Sequence, residues 1–386
     1  MRELNVALIG YNFMGKAHSY AIGNAPFFFQ TGVRPVKKVI VGRTEHMLKK
    51  AAEEFGWEEY ATEWESVLHR DDIDIVCIAT PTSLHKEIAI AAAKAGKHVL
   101  CEKPLGMNAA EAKEMLDAAE RAGVIHMLGH NYRRVPAVAL AKKLIREGKL
   151  GDIYHFRGVY LQDWLADPNE PMSWRLDKSV AGSGPHGDLN SHLIDLARYL
   201  VGDIEQVIGM EKTFVKQRAK ARGGQPHTPC APDERETATV TVDDTTAFLA
   251  KFENGALGTF EASRMASGRK NHERIEINGS KGSLSFNFER MNELEYWSQD
   301  DGLETQGFRT IIVTEEVHPY IRAWWPPGHS LGYQNTFVNQ FADFMQAIAD
   351  GKTAQPNFYD GWMCSKVLDA VTRSIESNTW EKIDGL

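Results

Sequence analysis

Cysteine is scarce: four residues in 386 (Cys77, Cys101, Cys230 and Cys364), with no C-x-x-C pair and no cysteine–histidine cluster at zinc spacing. That excludes a disulfide-stapled fold, argues against a structural metal and suits a reducing compartment. Long apolar runs are missing as well, since nothing approaches the roughly 20 apolar residues that cross a bilayer. Met1-Arg2-Glu3 leads directly into a strand pattern, which leaves no room for the charged and apolar regions of a leader. Nor is there surplus positive charge. The 44 Lys and Arg stand against 52 Asp and Glu, and the formal charge of −8 repels nucleic acid and anionic membrane. A cytoplasmic protein that binds small molecules, without metal, nucleic-acid or membrane partners, is expected.

What the chain does have is alternation. From residue 4 to about 128, short apolar runs (LNVALIG, KKVIVG, DIDIVCIAT, GKHVLCE, IHMLG) alternate with helical patterns such as HMLKKAAEEFG and HKEIAIAAAKAG. This predicts a parallel sheet covered on both faces. After residue 150, strand-like segments follow one another at 152–164, 204–215, 237–242, 245–252, 256–265, 273–280 and 282–288. Turns at Glu253-Asn254-Gly255 and from Gly279 to Gly282 join two pairs of them, so a large, mainly antiparallel sheet is predicted. Helices are predicted over 186–200, 333–349 and 360–377. A chain of this length exceeds what a single core usually supports. The expected fold class is α/β: a Rossmann doubly wound domain over 1–128, then an α+β domain over 129–386 whose open sheet offers an oligomer surface. Ala25 to Pro35, with three Phe and two Pro, reads as a surface loop, and 216–236 as a solvated or lid-like loop.

The most informative stretch is 74–104. It reads as strand, turn, amphipathic helix and strand, and it delivers Glu102-Lys103-Pro104 to the carboxyl edge of the parallel sheet, where doubly wound folds bind ligands. Gly10-x-Asn12-x-x-Gly15 supplies a helix N-terminus suited to a pyrophosphate, with Asn12 in place of the middle glycine because Asn tolerates unusual φ. The second strand ends Val41-Gly42-Arg43, where NAD enzymes usually carry an acid for the ribose 2′-hydroxyl. Arg43 is suited to a 2′-phosphate instead, so the expected cofactor is NAD(P), with NADP favoured over NAD. A glycine-rich loop from 182 leads to Asp188 and His192, four residues apart and therefore on one face of a helix. Oxidising a secondary alcohol needs a base that titrates near neutrality (His192), a carboxylate that orients it or binds a hydroxyl (Asp188), and an ammonium that stabilises developing alkoxide (Lys103).

The nucleotide motif, CIATPTSLH (77–85), CEKP (101–104), GHNYRR (129–134) and the D-x-x-x-H after the glycine-rich loop resemble, across essentially the whole chain, the Gfo/Idh/MocA oxidoreductase family. The resemblance implies Lys103, Asp188 and His192 as the catalytic set and a cis peptide before Pro104. It further implies dinucleotide contacts from Gly10, Asn12, Phe13, Met14, Gly15, Arg43, Thr80, Pro81, His85, Glu102 and Lys103, and a homodimer or homotetramer built through the C-terminal sheet. The run YLQDWLADPNEPMSWR (160–175) resembles the levoglucosan and glycoside 3-dehydrogenase branch. Gln162, Trp164, Arg175 and Tyr333 are then implied as sugar contacts beside Lys103, Tyr132, Asp188 and His192. The implied activity is NAD(P)-dependent oxidation of a ring secondary hydroxyl of a sugar, anhydrosugar, glycoside or cyclic polyol such as inositol. A competing reading is an NAD-dependent glycoside hydrolase or lyase that works by transient C3 oxidation and elimination; a third is a cofactor-sensing regulator.

Overall fold

The alternating apolar runs form six strands: β1 (Arg2–Ile9), β2 (Val33–Val41), β3 (Glu59–Ala61), β4 (Ile75–Ile78), β5 (His98–Cys101) and β6 (His126–Leu128). The structure is a computed structural model that describes residues 2–220 and 236–383, so Cys230 and most of the expected 216–236 loop lie outside the described residues. Every pairing in this sheet is parallel, in the order β3-β2-β1-β4-β5-β6. The winding reverses between β1 and β4, and ligands of such sheets bind beyond the carboxyl ends of strands at that point. Helices α1 (Phe13–Phe28), α2 (Glu45–Phe55), α3 (Trp64–Leu68), α4 (His85–Lys94) and α5 (Ala109–Ala122) fill the crossovers. With both faces covered, the strands carry continuous buried runs rather than alternation, Val6–Ile9 on β1 and Val39–Val41 on β2 among them. Leu4, Val6 and Leu8 join one core cluster, Ala7 and Ile9 the other, and all of β4 is buried.

After α6 (Pro136–Arg146) comes β7 (Ile153–Leu161), then α7 (Lys178–Ala181), α8 (Pro185–Asp188) and α9 (Asn190–Leu200). The strands that follow are β8 (Ile204–Lys212), β9 (Gln217–Ala219), β10 (Thr237–Thr239), β11 (Thr245–Phe252), β12 (Leu257–Ser263), β13 (His272–Gly279), β14 (Gly282–Asn287), β15 (Glu293–Ser298) and β16 (Arg309–Ile312), with β17 (Glu381–Lys382) near the end. Nine of them form one sheet in the order β16-β15-β14-β13-β7-β12-β11-β8-β17. All its pairings are antiparallel except that of β12 with β7, so the sheet is mixed. Both expected hairpins are present. Phe248 and Phe260, register partners on β11 and β12, stack at 4.3 Å on the buried face, and α9 packs against β7 and β12. The segment expected as a strand over 237–242 shortens to β10, which pairs with β9 outside the large sheet.

α10 (Tyr333–Asp350) and α11 (Phe358–Ser377) complete the helices. The chain packs as two units, one running to Arg134 and taking in Tyr320–Met363, the other Val135–Pro319 with the residues from Cys364 onward. A single division after residue 128 therefore does not describe the packing. The cause is apolar: α10 buries Phe337, Val338, Phe341, Phe344 and Met345 in the same cluster as Leu4, Leu8 and Ile22. Polar contacts fix the register of that docking. Asn339, fully buried, accepts from Trp324 Nε1 at 2.9 Å and donates to the Arg134 carbonyl at 3.0 Å. Arg133 pairs with Asp360 and Arg134 with Asp343, which explains GHNYRR as a docking segment. Trp324 packs on Phe28 and Phe29 at 4.0 and 5.9 Å and is a core residue. The same packing corrects the loop expected from Ala25: α1 continues through Pro26 to Phe28, because the missing N–H removes one bond near the helix end while the rings gain burial. Among the described residues no helix is long and apolar enough to cross a membrane.

His126 on β6 is buried against the Phe358 ring at 4.7 Å, and its Nδ1 accepts the Phe358 N–H at 3.1 Å. Burial lowers its pKa from 6.5 to about 4. In the window between those values the unfolded chain holds a proton that the folded chain does not, so stability falls as pH drops through it, by up to about 3 kcal/mol at 1.36 kcal/mol per unit. Urea unfolding at neutral and acid pH should show His126→Gln losing less stability on acidification than the parent; identical losses would remove His126 from the acid response.

Candidate active site

β1 runs into Gly10, whose φ of +110° disfavours any side chain and whose Cα lies against the Ala79 carbonyl, where a Cβ would overlap. Gly15 is pressed equally close to the Gly10 carbonyl. The N-terminus of α1 is thereby drawn onto the strand end. Asn12 caps the helix with an ordinary φ of −74°, so tolerance of unusual backbone is not what lets it replace glycine. Its side chain makes no capping bond, which leaves the first helical N–H groups to an anion. Phe13 is exposed and stacks on Tyr333 at 6.2 Å, while Met14 is half-buried. The Tyr11 ring lies on Gly42, where a Cβ would overlap it; the lack of an acid there has a steric cause independent of cofactor charge. Arg43 is exposed. Beyond the end of β4 the Thr80 hydroxyl is buried with no hydrogen-bond partner among the described residues. A glycine cradle, an uncapped helix start and an orphaned hydroxyl fit a dinucleotide.

β5 leads into Glu102, whose carboxylate is buried and accepts His18 Nε2 at 2.8 Å and the Lys103 N–H at 3.2 Å. It also lies over Gly129, where a Cβ would come within 2.9 Å of it. The Lys103–Pro104 peptide is cis. Pro81 precedes a single 3-10 turn, Thr82–Leu84, and His85 opens α4. The His85 ring bridges two loops, with Nδ1 3.0 Å from the Pro104 carbonyl and Nε2 3.0 Å from that of Thr80. Burial holds its pKa below the usual range, opposed by those carbonyls and by the Glu102 charge. Tyr132 is buried in the turn Asn131–Arg134.

In the other unit the sheet register builds the constellation. Leu161 at the end of β7 lies opposite Ser263 at the end of β12 and His272 at the start of β13, so Gln162, Arg264 and Asn271 all leave the same rim. Asn271 Oδ1 accepts from Tyr160 Oη at 2.8 Å and from Gln162 Nε2 at 2.9 Å; Gln162 Oε1 accepts from Trp164 Nε1 at 2.9 Å. The Arg264 guanidinium lies 5.2 Å over the Trp164 ring and donates from Nη2 to Asp188 Oδ2 at 2.7 Å. Asp243 anchors the glycine-rich loop to this rim by accepting the Gly184 and His186 N–H groups at 2.6 and 2.8 Å. The helix expected over 186–200 breaks at Leu189, which keeps right-handed backbone angles, and the His192 N–H reaches the Leu189 carbonyl rather than that of Asp188. The buried His192 ring is 5.9 Å from that of Tyr160. Arg175, stacked on Trp174 at 4.5 Å, has its pKa lowered by burial; Asp188 opposes the shift and Arg264 adds to it.

Within this unit Asp188, His192, Gln162, Trp164 and Arg175 are thus linked through Tyr160, Arg264 and Asn271, none of which sequence reasoning singled out. The signal for Arg264 was a lone arginine closing an alternating strand, and it becomes readable only once β12 is paired with β7. In the first unit Lys103, Glu102, His85 and Thr80 share the strand ends, and His18 is the partner that was missed. No group of three metal-ligating side chains that could hold an ion occurs among the described residues.

Residues 4–130 match the model of an oxidoreductase family with an NAD-binding Rossmann fold, and residues 138–285 match the GFO/IDH/MocA C-terminal domain. The chain is 45% identical over 383 residues to levoglucosan dehydrogenase of Pseudarthrobacter phenanthrenivorans, covering 98% of each. A structure of levoglucosan dehydrogenase in complex with NADH and levoglucosan superposes with a TM-score of 0.94 at 44% identity, covering both chains fully. An oxidoreductase domain protein from Kribbella flavida superposes equally well at 50% identity, covering 99% of this chain and 100% of that one.

Removing the Glu102 carboxylate strands the buried His18 donor. Glu102→Ala, which leaves that donor unsatisfied, should cost about 1–3 kcal/mol more in urea unfolding than Glu102→Gln, which keeps an acceptor. Equal losses in the two variants would show that the pairing is not what Glu102 contributes.

Proposed function

The chain belongs to the Gfo/Idh/MocA family of NAD-binding oxidoreductases, and on that footing we propose that it oxidises a ring secondary hydroxyl of an anhydrosugar of the levoglucosan type to the ketone. The observation that carries this reading is the rim of the nine-stranded sheet, where a carboxylate, an imidazole, a tryptophan plate and amide groups are joined in one network. Flat apolar surface suits the face of a pyranose ring, and amide and guanidinium groups suit its hydroxyls.

In this mechanism His192 takes the hydroxyl proton. Asp188, whose Oδ2 is taken by Arg264, keeps one orientation and aligns the hydroxyl with the imidazole. Lys103 stabilises alkoxide character on the same oxygen. Tyr132, Gln162, Trp164, Arg175 and Tyr333 hold the sugar. The dinucleotide, held by Gly10 to Gly15, Thr80 and the loop before His85, supplies the hydride acceptor when bound.

For the cofactor, NAD is proposed over NADP. An exposed arginine such as Arg43 is a solvated cation whose pairing contributes roughly 0–1 kcal/mol, too little to set preference against full-length relatives solved with NADH.

Steady-state assays on purified protein with levoglucosan, other anhydrosugars, glycosides and inositol test the proposal. NADH should accumulate in step with ketone, and Lys103→Met and His192→Ala should each lower kcat by roughly 10²–10⁴. Glycoside cleavage without net NADH would favour the elimination chemistry, and no turnover of any anhydrosugar would overturn the proposal. NAD should exceed NADP in kcat/KM, with Arg43→Ala changing the NAD value less than about fivefold.

A further inference from the structure

We infer that Arg264 is the positioning residue of the sugar site, setting both the carboxylate that aligns the reacting hydroxyl and the aromatic plate beneath the ring; the inference rests on the dehydrogenase reading above. Three observations carry it. The Arg264 side chain is 1% exposed, yet its ion pair at 2.7 Å is with Asp188, whose side chain is 36% exposed. The guanidinium therefore stands behind the carboxylate, on its protein side. Second, Nε and Nη1 are buried with no hydrogen-bond partner among the described residues. A buried cation that uses so few of its donors is a poor filler, since an apolar side chain of similar volume would cost less desolvation. Its retention points to the contacts it does make. Third, among the described residues its side chain makes an ion pair with Asp188 and lies over the face of Trp164 at 5.2 Å.

The backbone explains why this side chain is so firmly placed. Arg264 follows β12 directly; its N–H donates to the Asp244 carbonyl at 3.1 Å and its carbonyl accepts the Leu165 N–H at 3.2 Å. Asp188 comes from a different element, the loop and helix anchored by Asp243. Trp164 comes from the segment after β7, and its N–H is held by Gln162. Arg264 is thus where three separately anchored segments meet. Arg264 reaches Asp188 through a single donor, Nη2, set on a rigid planar fork, whereas an ammonium is a point charge on a flexible stem. Arg264 acts through Asp188 and Trp164, and no contact of its own with the substrate is needed.

The test is a kinetic cycle on levoglucosan with Arg264→Gln, Arg264→Lys, Asp188→Asn and the Arg264→Gln/Asp188→Asn double variant, each accompanied by thermal melting and by NAD affinity from fluorescence titration. Arg264→Gln should lower kcat by about 10²-fold, as expected for loss of a preorganised electrostatic partner, with KM for the sugar raised and NAD affinity close to the parent. Arg264→Lys should recover part of that loss because charge returns without the fork. In the Asp188→Asn background the same Arg264→Gln change should cost less than about threefold, since coupled residues are not additive. The inference is overturned if Arg264→Gln retains parental kcat, if it costs the same factor in both backgrounds, or if Lys recovers nothing. If Arg264→Gln fails to fold, Arg264→Lys carries the test: lowered kcat at an unchanged melting temperature supports the assignment, and parental kcat sinks it. Parent protein that turns over no sugar sinks the dehydrogenase reading and this inference with it, whereas an active parent beside an equally active Arg264→Gln sinks the inference alone.

Discussion

Glu102 is a carboxylate with almost no access to water, and the geometry of the nucleotide-binding unit depends on how its charge is satisfied. Taking such a group out of water costs several kcal/mol unless donors converge on it. Here they come from two directions: His18 from the middle of α1, and the N–H of Lys103, the next residue in the chain. Gly129 lies so close to the carboxylate that a side chain there would overlap it. One buried acid therefore ties α1, the end of β5 and the turn after β6 together. Those same elements carry the helix N-terminus and the lysine. The position of Lys103 is thus decided by its backbone, which is pinned by the preceding side chain on one side and by the His85 bridge to Pro104 on the other.

The second unit uses the same device at the rim of its sheet. Asp243, itself buried, accepts two backbone N–H groups at the start of α8 and the Thr246 hydroxyl at 2.7 Å, and so fixes the loop that presents Asp188. Arg264 then meets Asp188 from behind. In each unit one group proposed to do chemistry, Lys103 or Asp188, is partly exposed, while the groups that hold it, Glu102 or Asp243 and Arg264, are buried. This division follows from dielectric: a hydrogen bond shielded from water is stiffer and less easily exchanged than one at the surface. Chemistry needs access, and positioning needs its absence.

The sequence made a good part of this legible because each readable feature is local. Strand and helix alternation before residue 128, the two hairpins after 252 and the strand ends that carry Lys103 depend on neighbours a few positions away. What escaped it depends on pairings across the chain. Arg264 and Asn271 enter the network only because β12 and β13 flank β7 in one register, and nothing near either residue announces that. Tyr320–Met363 returns to the first unit through side chains whose partners lie about two hundred positions earlier. The three-phenylalanine segment reads as a loop until Trp324 is available to pack against it. Gly42, read as an electrostatic feature, has a steric reason in Tyr11. Asn12 needed no special backbone at all.

The pairing of the polar groups with one another bears on how a sugar is selected. Gln162 gives one amide hydrogen to Asn271 and accepts from Trp164, and the Tyr160 hydroxyl is also committed to Asn271. Because the Asn271 oxygen receives two donors, that amide has one orientation, which in turn fixes the orientation of Gln162. Asn271 is itself held from the backbone, where Glu289 accepts its N–H at 3.1 Å and sits 3.2 Å from His272 Nδ1. The donors and acceptors that remain for a ligand are therefore directional before it arrives, and little freedom has to be surrendered on binding. A site built this way discriminates strongly against a sugar lacking the matching hydroxyl, because the fixed groups cannot turn to find another partner and would be left buried and unsatisfied. On the proposed function, selectivity would originate in Asn271 and Glu289, one layer behind the side chains that would touch the substrate.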